Sequence, residues 1–157
     1  MKSKIHEFRK NNLFMPKHLF LTLIMALFLN TLQAYTLKQK EVPTLVKEAF
    51  QRAHPSVNYT SWTRQENNYK VEYAINRVDI ANTYEASGKL VNVEADIEIN
   101  MLPAVIGPYV KANYNNSSIN QAFKIKDNNG TITYRADLNN KSLFFNAAGS
   151  FVSESKK

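Results

Sequence analysis

Between Pro43 and Ala53 the apolar side chains recur at the spacing of a helix. They are Leu45, Val46, Ala49, Phe50 and Ala53, and the charged and polar residues fall on the opposite face. Pro43 suits the first turn of a helix. His54-Pro55 suits its end, because the residue before a proline avoids helical angles. The pattern therefore predicts one amphipathic helix.

After this helix the apolar positions recur with a period of two. Apolar and polar residues alternate most regularly over 69–76 and 91–99. Such alternation predicts strands with one buried face. We expect four strands over 57–65, 69–76, 79–86 and 91–99, and their short connections favour an antiparallel meander.

The chain then repeats this pattern. Tyr73 and Tyr134 are each followed eleven residues later by an aromatic residue (Tyr84, Phe145) and fifteen residues later by a glycine (Gly88, Gly149). Trp62 and Phe123 lie eleven residues before the two tyrosines, which favours the core for both. We predict repeats over 42–99 and 102–154, each one helix packed on a four-stranded antiparallel sheet. Because neither repeat has enough core alone, we expect an α+β fold in which the two sheets join or pack closely as one domain.

The second repeat departs from the first in its helix. The expected helix over 103–114 contains Gly107-Pro108 after its first turn. Because proline lacks an amide hydrogen, we predict either a kink or a helix that starts only near Pro108. Its strands are expected over 119–126, 131–138, 141–147 and 150–153, with a hairpin at the Asn129-Gly130 turn signal.

Residues 1–34 have the parts of a secretory signal. A basic start precedes an uncharged apolar run, 19–29, which is too short for a bilayer that takes about 20 apolar residues. We expect cleavage after Ala34, with Met15 as an alternative start of translation. The exported chain would be one domain over 35–157, beginning with a short polar leader over 35–41. It would be periplasmic or secreted and have no membrane segment.

Removal of the signal changes the charge. The whole chain has 20 basic and 13 acidic residues and a net charge of +7. Five basic residues and Glu7 lie in the signal, so 15 basic and 12 acidic residues remain and the net charge falls to +3. The remaining lysines and arginines are dispersed rather than clustered, which argues against a nucleic-acid partner.

The sequence offers little for catalysis. After residue 34 there is one histidine, His54, and the chain has no cysteine. A histidine that caps the helix or faces solvent is expected there rather than a general base. There is no hydrolase serine motif and no glycine-rich phosphate loop. We expect a protein that is not an enzyme and has no cofactor.

One acidic group could bind a hard cation. Glu94, Asp96 and Glu98 alternate along a predicted strand and would share a face. Residues two apart on a strand are about 6.6 Å apart, which is wide for joint chelation. A solvated strand face is favoured, and a cation site is the weaker alternative.

The outer face of the predicted sheet should carry mixed charge. The polar residues expected there are Lys70, Glu72, Asn92, Glu94, Asp96, Thr133 and Arg135. Phe144 is expected to be exposed because it neighbours Phe145, which continues an apolar face. For Trp62 a core position is favoured over a role as a partner's anchor. The candidate partner-binding residues are Trp62, Lys70, Glu72, Phe144 and Arg135, and an ordinary solubilising surface stays open as the alternative.

Three segments together resemble a known family. They are VPTLVKEAFQRAHPSVNYTSWTRQENNYKVEYAI, YEASGKLVNVEADI and LPAVIGPYVKANY. The shared marks are the Val-Pro and Leu-Pro helix openings, Ala-Phe and His-Pro in the first helix, Trp62, Tyr73 and the Gly-Lys-Leu turn at Gly88. In order and spacing they are similar to the PepSY-like, β-lactamase-inhibitor-like proteins exported by Bacteroidetes. The likeness covers essentially all of 42–152.

The resemblance implies two helix-plus-four-strand units whose sheets form a broad surface. In the inhibitor that gives the group its name, that surface grips a loop of an enzyme. This chain departs from that inhibitor because it has no disulfides, and no inhibitory residue carries over by position. We therefore expect a protein or peptide partner at the sheet face and inhibition or modulation of an envelope or secreted enzyme. The alternative is a small-ligand or cation-binding module of the envelope.

Overall fold

The computed structural model describes residues 35–115 and 117–157. All of them belong to one compact unit, Gln33–Lys157. The expected signal over 1–34, with the alternative start at Met15, lies outside the described residues.

The described residues form two helices and one antiparallel sheet of nine strands, in which the strands lie side by side in sequence order. The helices are α1, Thr44–Ala53, and α2, Ile106–Asn113. The strands are β1 Tyr35–Leu37, β2 Ser61–Gln65, β3 Asn68–Ile75, β4 Val78–Glu85, β5 Leu90–Ile97, β6 Gln121–Asp127, β7 Ile132–Asp137, β8 Lys141–Asn146 and β9 Phe151–Lys156.

Both helices lie on the same face of the sheet. α1 covers the first half of the sheet with Val46 and Phe50, and α2 covers the second half with Ile106 and Val110. Each helix thus has its own apolar core, one built on Val71 and its neighbours and the other on Leu143 and its neighbours. β5 pairs with β6 and makes one sheet of the two halves, which confirms the expectation that they join.

The segment over 35–41 is not the polar leader that we expected from the sequence. Tyr35–Leu37 forms β1, an edge strand paired with β2, and Leu37 lies opposite Trp62 and is buried in the first core. Three residues are too few to show an alternating pattern. The strand exists because β2 offers it backbone partners and the core accepts Leu37.

The presence of β1 changes where the repeat begins. A single 3-10 turn, Gln39–Glu41, follows β1, and another, Ile99–Met101, follows β5. Each turn leads through a buried residue, Val42 or Leu102, into a helix. β5 therefore leads the second repeat as β1 leads the first, one strand before the boundaries at 42 and 102 that the sequence predicted.

A proline lies at or just before the first turn of each helix, where its missing amide hydrogen does no harm. Pro43 precedes α1, and its carbonyl oxygen accepts hydrogen bonds from the amides of Val46 and Lys47. In α2, Pro108 is the third residue, where an amide has no partner within the helix. The helix therefore tolerates this proline. The expectation of a later helix start is confirmed, with the start at Ile106.

Two strands differ most from their expected ranges. β2 starts at Ser61 rather than at 57, because the chain after α1 first turns, and the amide of Val57 donates to the carbonyl oxygen of His54 at 3.2 Å. β9 continues to Lys156 rather than ending at 153, since pairing with β8 holds it along its whole length.

The two repeated glycines mark the same contact in both halves. Gly88 and Gly149 have φ of +84° and +82°, a conformation that side chains rarely adopt. A Cβ at Gly88 would lie 2.7 Å from the carbonyl oxygen of Leu45, and one at Gly149 would lie 2.5 Å from Cγ2 of Val105. Each glycine therefore lets a turn of the sheet press against the start of a helix.

Candidate functional site

The face of the sheet opposite the two helices is here called the open face. The pairing register places the alternate residues of every strand on it. Those used below are Lys70, Glu72, Ala74, Asp79, Ala81, Glu85, Asn92, Glu94, Asp96, Phe123, Asp127, Thr133, Arg135, Asp137 and Phe144. All seven polar residues that the sequence predicted for the outer face lie there.

Three candidate residues are tied together by Glu94 at the middle of the open face. Nζ of Lys70 lies 3.0 Å from Oε1 of Glu72 and 3.8 Å from Oε1 of Glu94. Nη1 of Arg135 donates to Oε2 of Glu94 at 2.7 Å. The side chains of Lys70, Glu94 and Arg135 are largely buried, so these contacts are screened less than ion pairs at an exposed surface.

The line of charges continues to Asp137, whose residue surface is only 4 % exposed. Nζ of Lys157 lies 3.0 Å from Oδ2 of Asp137. Nε of Arg135 lies 3.2 Å from Oδ1 of Asp137, but the angle misses a hydrogen bond, and neither atom has another partner in the described part of the chain. These contacts connect six charged side chains in a row, and we call the row the ion-pair chain: Glu72–Lys70–Glu94–Arg135–Asp137–Lys157.

Phe123 forms the platform under the ion-pair chain. The guanidinium carbon of Arg135 lies 3.8 Å from the centroid of the Phe123 ring, which is a close cation–π contact. The sequence match with Trp62 predicted that both residues are in the core. That prediction is wrong for Phe123, which is half-buried on the open face.

The reason lies in the two hairpins. In the first repeat Trp62 pairs with Val71. The repeat aligns Val71 with Ile132, sixty-one residues later, so the same register would pair Ile132 with Phe123. Ile132 instead pairs with Lys126, three residues beyond Phe123. The second hairpin has a longer loop that sits further along the chain. Because side chains alternate between faces, an odd displacement of the register turns Phe123 to the opposite side of the sheet from Trp62.

A concavity of about 520 Å³ lies between these side chains. Small residues, Ala74 and Ala81, lie among its lining residues, together with Phe123 and the charged groups of Lys70, Glu94 and Arg135. The long side chains of β3, β5 and β7 thus surround β4, whose residue at this point, Ala81, is small. The open face can accept a side chain or a small ligand at this point.

The remaining aromatic candidates separate clearly. Trp62 is 4 % exposed, packs edge-on against Phe50, and donates from Nε1 to Oγ1 of Thr60. It faces the helix side, so its place among the partner-binding candidates is corrected: it belongs to the core. Phe144 is half-buried on the open face beside Arg135, and Tyr59, in the loop before β2, is 90 % exposed.

The alternative cation site is not assembled. Glu94 and Asp96 lie on the open face, but Glu94 is already bound by Lys70 and Arg135. Glu98 lies beyond the end of β5. Among the described residues no group of three or more histidine, cysteine, aspartate or glutamate side chains is placed to hold a metal ion.

A second polar cluster lies on the helix side, where His54 meets β3 and β4. The Tyr73 hydroxyl donates to Oδ1 of Asn82, and Nδ2 of Asn82 donates to the Tyr84 hydroxyl, both at 3.1 Å. Nε2 of His54 lies 3.1 Å from Nδ2 of Asn82 and from the Tyr73 hydroxyl. We call these four residues the Asn82 network.

The hydrogen bonds of the Asn82 network define its protonation. Since Tyr73 uses its proton on Asn82, Nε2 of His54 can accept from Nδ2 of Asn82 when Nε2 carries no proton. Burial lowers the pKa of His54 below its ordinary value of 6.5. Burial, with a smaller effect of Tyr84, raises the pKa of Tyr73 to about 12, against the opposing hydrogen bond to Asn82.

His54 caps α1, which is one of the two positions that we expected, but its ring is partly buried and does not face solvent. Its backbone amide ends α1 by donating to the carbonyl oxygen of Phe50, while its ring packs against Phe50 and Tyr73. Its Nε2 is occupied by Asn82. The geometry describes a structural histidine that joins α1 to the sheet.

Sequence reasoning missed three residues of the ion-pair chain and its platform: Phe123, Asp137 and Lys157. Asp137 could have been found, because it lies two residues after Arg135 and shares its face. Phe123 could not be found from the repeat, which pointed to the core. Lys157 carries no pattern, since it lies past the end of β9.

The comparison with protein families follows the repeats of the fold. The family described as "Putative beta-lactamase-inhibitor-like, PepSY-like" matches twice, over residues 30–92 and 83–153. The second match begins in β4 and includes β5 as its leading strand, in agreement with the structural repeat. Together the two matches cover more than half of the chain. The chain belongs to the PepSY-like family.

Solved structures share this PepSY-like fold at low sequence identity. A "putative periplasmic" protein of Bacteroides eggerthii has a TM-score of 0.65 and 12 % identity, over 73 % of this chain and 88 % of its own. A DUF2874 family protein of Bacteroides uniformis has a TM-score of 0.60 and 14 % identity over the same shares. A BLIP-like protein of Bacteroides fragilis has a TM-score of 0.54 and 16 % identity, over 73 % and 86 %.

These likenesses establish the fold: an α+β, β-lactamase-inhibitor-like arrangement of two PepSY-like repeats on one nine-stranded sheet. No curated protein is significantly similar to the chain. Neither helix in the described ranges has the length and apolar character that a membrane crossing requires.

Proposed function

We propose that this PepSY-like protein is an exported, non-enzymatic binding protein that recognises another protein or a peptide through its open face. Inhibition or modulation of an envelope or secreted enzyme is the role we infer for it. The observation that carries the proposal is the open face itself. Among the described residues no helix covers it, and charged and aromatic side chains stand around a concavity there.

The ion-pair chain supports this proposal because it holds long side chains in place before a partner arrives. Lysine and arginine normally lose rotamer freedom on binding, at a cost of about 0.5 to 1.5 kcal/mol for each immobilised side chain. Here Lys70 and Arg135 are already held between carboxylates and largely buried. A face whose side chains are ordered in advance loses less free energy on association.

The location in the periplasm, or outside the cell, is also a proposal. It rests on the signal pattern of residues 1–34 and on relatives of this fold that are described as periplasmic. A test is the N-terminal sequence of the protein recovered from a periplasmic fraction. Cleavage after Ala34 is expected, and recovery of the uncleaved chain from the cytoplasm would contradict the proposal.

The main test is capture of a partner by the exported chain, Tyr35 to Lys157, immobilised and exposed to periplasmic and secreted extract. We expect one protein to be retained in stoichiometric amount. Phe144→Ala and Glu72→Gln should weaken its retention, because both side chains lie on the open face. Leu45→Ala and Glu48→Gln, at exposed positions of α1 on the helix side of the sheet, are the matched controls.

Each variant must first be shown to be folded by its circular dichroism and melting temperature. Arg135→Ala is a further variant on the open face, but it leaves the buried Glu94 and Asp137 short of a cation, so its stability needs particular attention. Two outcomes would contradict the proposed face. In one, the control variants weaken retention of the partner as much as the open-face variants do. In the other, no variant of either kind weakens it.

The concavity favours one second candidate function, which is binding of a small ligand. Its volume of about 520 Å³ falls in the range of small-molecule sites, about 300 to 1,000 Å³. A ligand screen by thermal shift would detect it. A ligand whose stabilising effect is lost on Ala81→Leu, which would fill the floor of the concavity, would support this function over a macromolecular partner.

A further inference from the structure

The charges of this protein are divided between its two sides. The open face carries seven carboxylates and three cationic side chains: Glu72, Asp79, Glu85, Glu94, Asp96, Asp127 and Asp137 against Lys70, Arg135 and Lys157. The rest of residues 35–157 carries five acidic and twelve basic residues. A chain that is basic as a whole thus presents an acidic open face.

Most of the carboxylates on the open face are already engaged. The cations of the ion-pair chain hold Glu72, Glu94 and Asp137. Asp127 accepts from the amides of Asn129 and Thr131 within its own hairpin, and Glu85 lies near Lys89. In the part of the chain that the structure describes, Asp79 and Asp96 have no cation within ion-pair distance.

Asp79 and Asp96 lie beside one another. Ile80 of β4 pairs with Ala95 of β5, Asp79 and Asp96 are the next residues of these two strands on the open face, and both line one concavity. Asp96 also lies opposite Phe123 on its other side. Two carboxylates facing one another across a strand pair repel each other. A cation between them would remove this repulsion.

The pair lies at the edge of a second concavity, of about 710 Å³, at one end of the sheet. Its lining includes Val78, Ile99 and Met101, which are exposed apolar side chains, 40 %, 46 % and 63 % respectively. Asp79 lines this concavity and also the first one on the open face. The two concavities therefore meet at an unpaired carboxylate.

We propose that the partner of the open face is a protein loop or peptide whose lysine or arginine side chain binds between Asp79 and Asp96. The alkyl part of that side chain would lie on Ile99 and Met101, and its charge would lie between the two carboxylates. This inference rests on the proposed function and names the class of partner. Arg77 lines the same concavity and carries the opposing charge, but Asp79, Asp96 and Glu98 outnumber it.

The charge division makes this occupant specific. An acidic face attracts a basic partner and disfavours an acidic one, which affects both the rate of association and the choice of partner. A second copy of this chain is a competing occupant, because its basic helix side could meet the acidic open face. The test below separates the two.

The test uses a random 12-residue peptide library displayed on phage and selected on the exported chain, Tyr35 to Lys157, at low salt. Selected peptides are synthesised, and their affinity is measured by fluorescence anisotropy for the wild type and for Asp79→Asn/Asp96→Asn. Glu48→Gln/Glu66→Gln, which removes two exposed carboxylates off the open face, is the matched control. Phe144→Ala reports independently whether a peptide uses the open face.

We expect selected peptides to be rich in lysine and arginine. The double asparagine variant should bind them roughly tenfold or more weakly, and the control should bind as the wild type does. In the absence of peptide the double asparagine variant should be at least as stable as the wild type, since a repulsion is removed. That readout separates lost recognition from lost folding.

Three results would overturn the inference. Peptides that depend on Phe144 but lack basic residues and ignore the asparagine changes would overturn it while leaving the proposed function in place. If the wild type self-associates in sedimentation and the double asparagine variant does not, the open face binds a second copy of this chain rather than a basic peptide. Failure to obtain any peptide that depends on the open face, together with an empty capture from extract, would overturn both proposals.

Discussion

The two repeats carry different chemistry at equivalent positions of one scaffold. Asn82 and Tyr84 of β4 occupy the places that Leu143 and Phe145 occupy in β8, sixty-one residues later. Both strands even have an irregularity of pairing at the same point, before Tyr84 and before Phe145. The first repeat buries a hydrogen-bonded network there, and the second buries an apolar cluster.

The comparison shows that the scaffold accepts either solution if each is complete. Asn82 is 2 % exposed and its side chain has partners for its oxygen and its nitrogen, while Leu143 is fully buried among apolar residues. A buried amide is stable only when its hydrogen bonds are made. The Asn82 network makes them through Tyr73, Tyr84 and His54, of which His54 comes from the helix.

A second difference between the repeats creates the candidate site. The displaced register of the β6–β7 hairpin puts Phe123 on the open face, whereas Trp62, its equivalent in the first repeat, lies in the core. The platform under Arg135 therefore exists in the second repeat alone. The duplication supplies the sheet, and the change in one hairpin supplies an asymmetric surface.

The largest predicted effect comes from exchanging the two buried residues. Leu143→Asn should lower the free energy of unfolding by about 5 kcal/mol, because it removes a buried apolar side chain and leaves an amide without partners. Asn82→Leu should lower the free energy of unfolding by about 1 to 2 kcal/mol. It leaves the Tyr73 and Tyr84 hydroxyl groups without their partner but keeps the volume of the side chain. Urea denaturation measures both. Equal losses would mean that the two sites are not packed as differently as described.

The next effect compares the aromatic residues that the sequence repeat aligned. Trp62→Ala should cost about 3 to 4 kcal/mol, as expected for a fully packed core residue. Phe123→Ala should cost about 1 kcal/mol, because the ring is half-buried and contributes mainly through its contact with Arg135. The same denaturation experiment applies. A larger loss for Phe123 than for Trp62 would refute the difference between the faces.

The glycines of the two turns give a smaller, graded effect. Gly88→Ala should cost about 2 to 3 kcal/mol, because φ is positive and the new methyl group meets the rigid carbonyl of Leu45. Gly149→Ala should cost a similar amount, because the new methyl group would meet Cγ2 of Val105 at 2.5 Å and the rigid ring of Pro103 at 2.9 Å. Gly130→Ala, with positive φ but open space around it, is the control and should cost about 1 kcal/mol.

The smallest effect is a dependence of stability on pH near neutrality, which only the first repeat should show because His54 lies there. Because burial lowers the pKa of His54, the folded state binds fewer protons than the unfolded state below about pH 7. Stability is then fully present above the unfolded pKa of 6.5 and is lost as the pH falls through the lower folded pKa. Melting temperatures between pH 7.5 and 5 should show this decline.

A His54→Gln variant should remove that part of the decline, because glutamine does not titrate. The same decline in the variant would place its cause in other groups. Leu143→Met, a mild change in the second repeat, serves as a control that should keep the pH dependence of the wild type while altering the core elsewhere.

Much of the fold follows from local patterns in the sequence. The period of 3.6 over 43–53 marks α1, and alternation marks β3 and β5, because a helix and a strand each bury one face. The same alternation places Lys70, Glu72, Glu94 and Arg135 on the side away from the core. The composition of most of the open face could thus be predicted before its geometry was known.

Other features depend on contacts between distant parts of the chain. β1 is too short to carry a pattern and is held by pairing with β2. Residues 70, 94 and 135 come together only because strands β3, β5 and β7 are separated by one strand each in a single sheet. Asn82 has an apolar equivalent in the other repeat, and its polar partners come from three separate elements.

By itself, then, the sequence determined the two repeats, the helices, most of the strands and which side of each strand is polar. These are properties of neighbouring residues, fixed by the periods of helix and strand. The tertiary structure decided that the two sheets join at β5 and β6, that Phe123 faces outward, and that Asp79 and Asp96 are left without a cation. Each depends on strand register, which is set by turn lengths and by packing across the whole sheet.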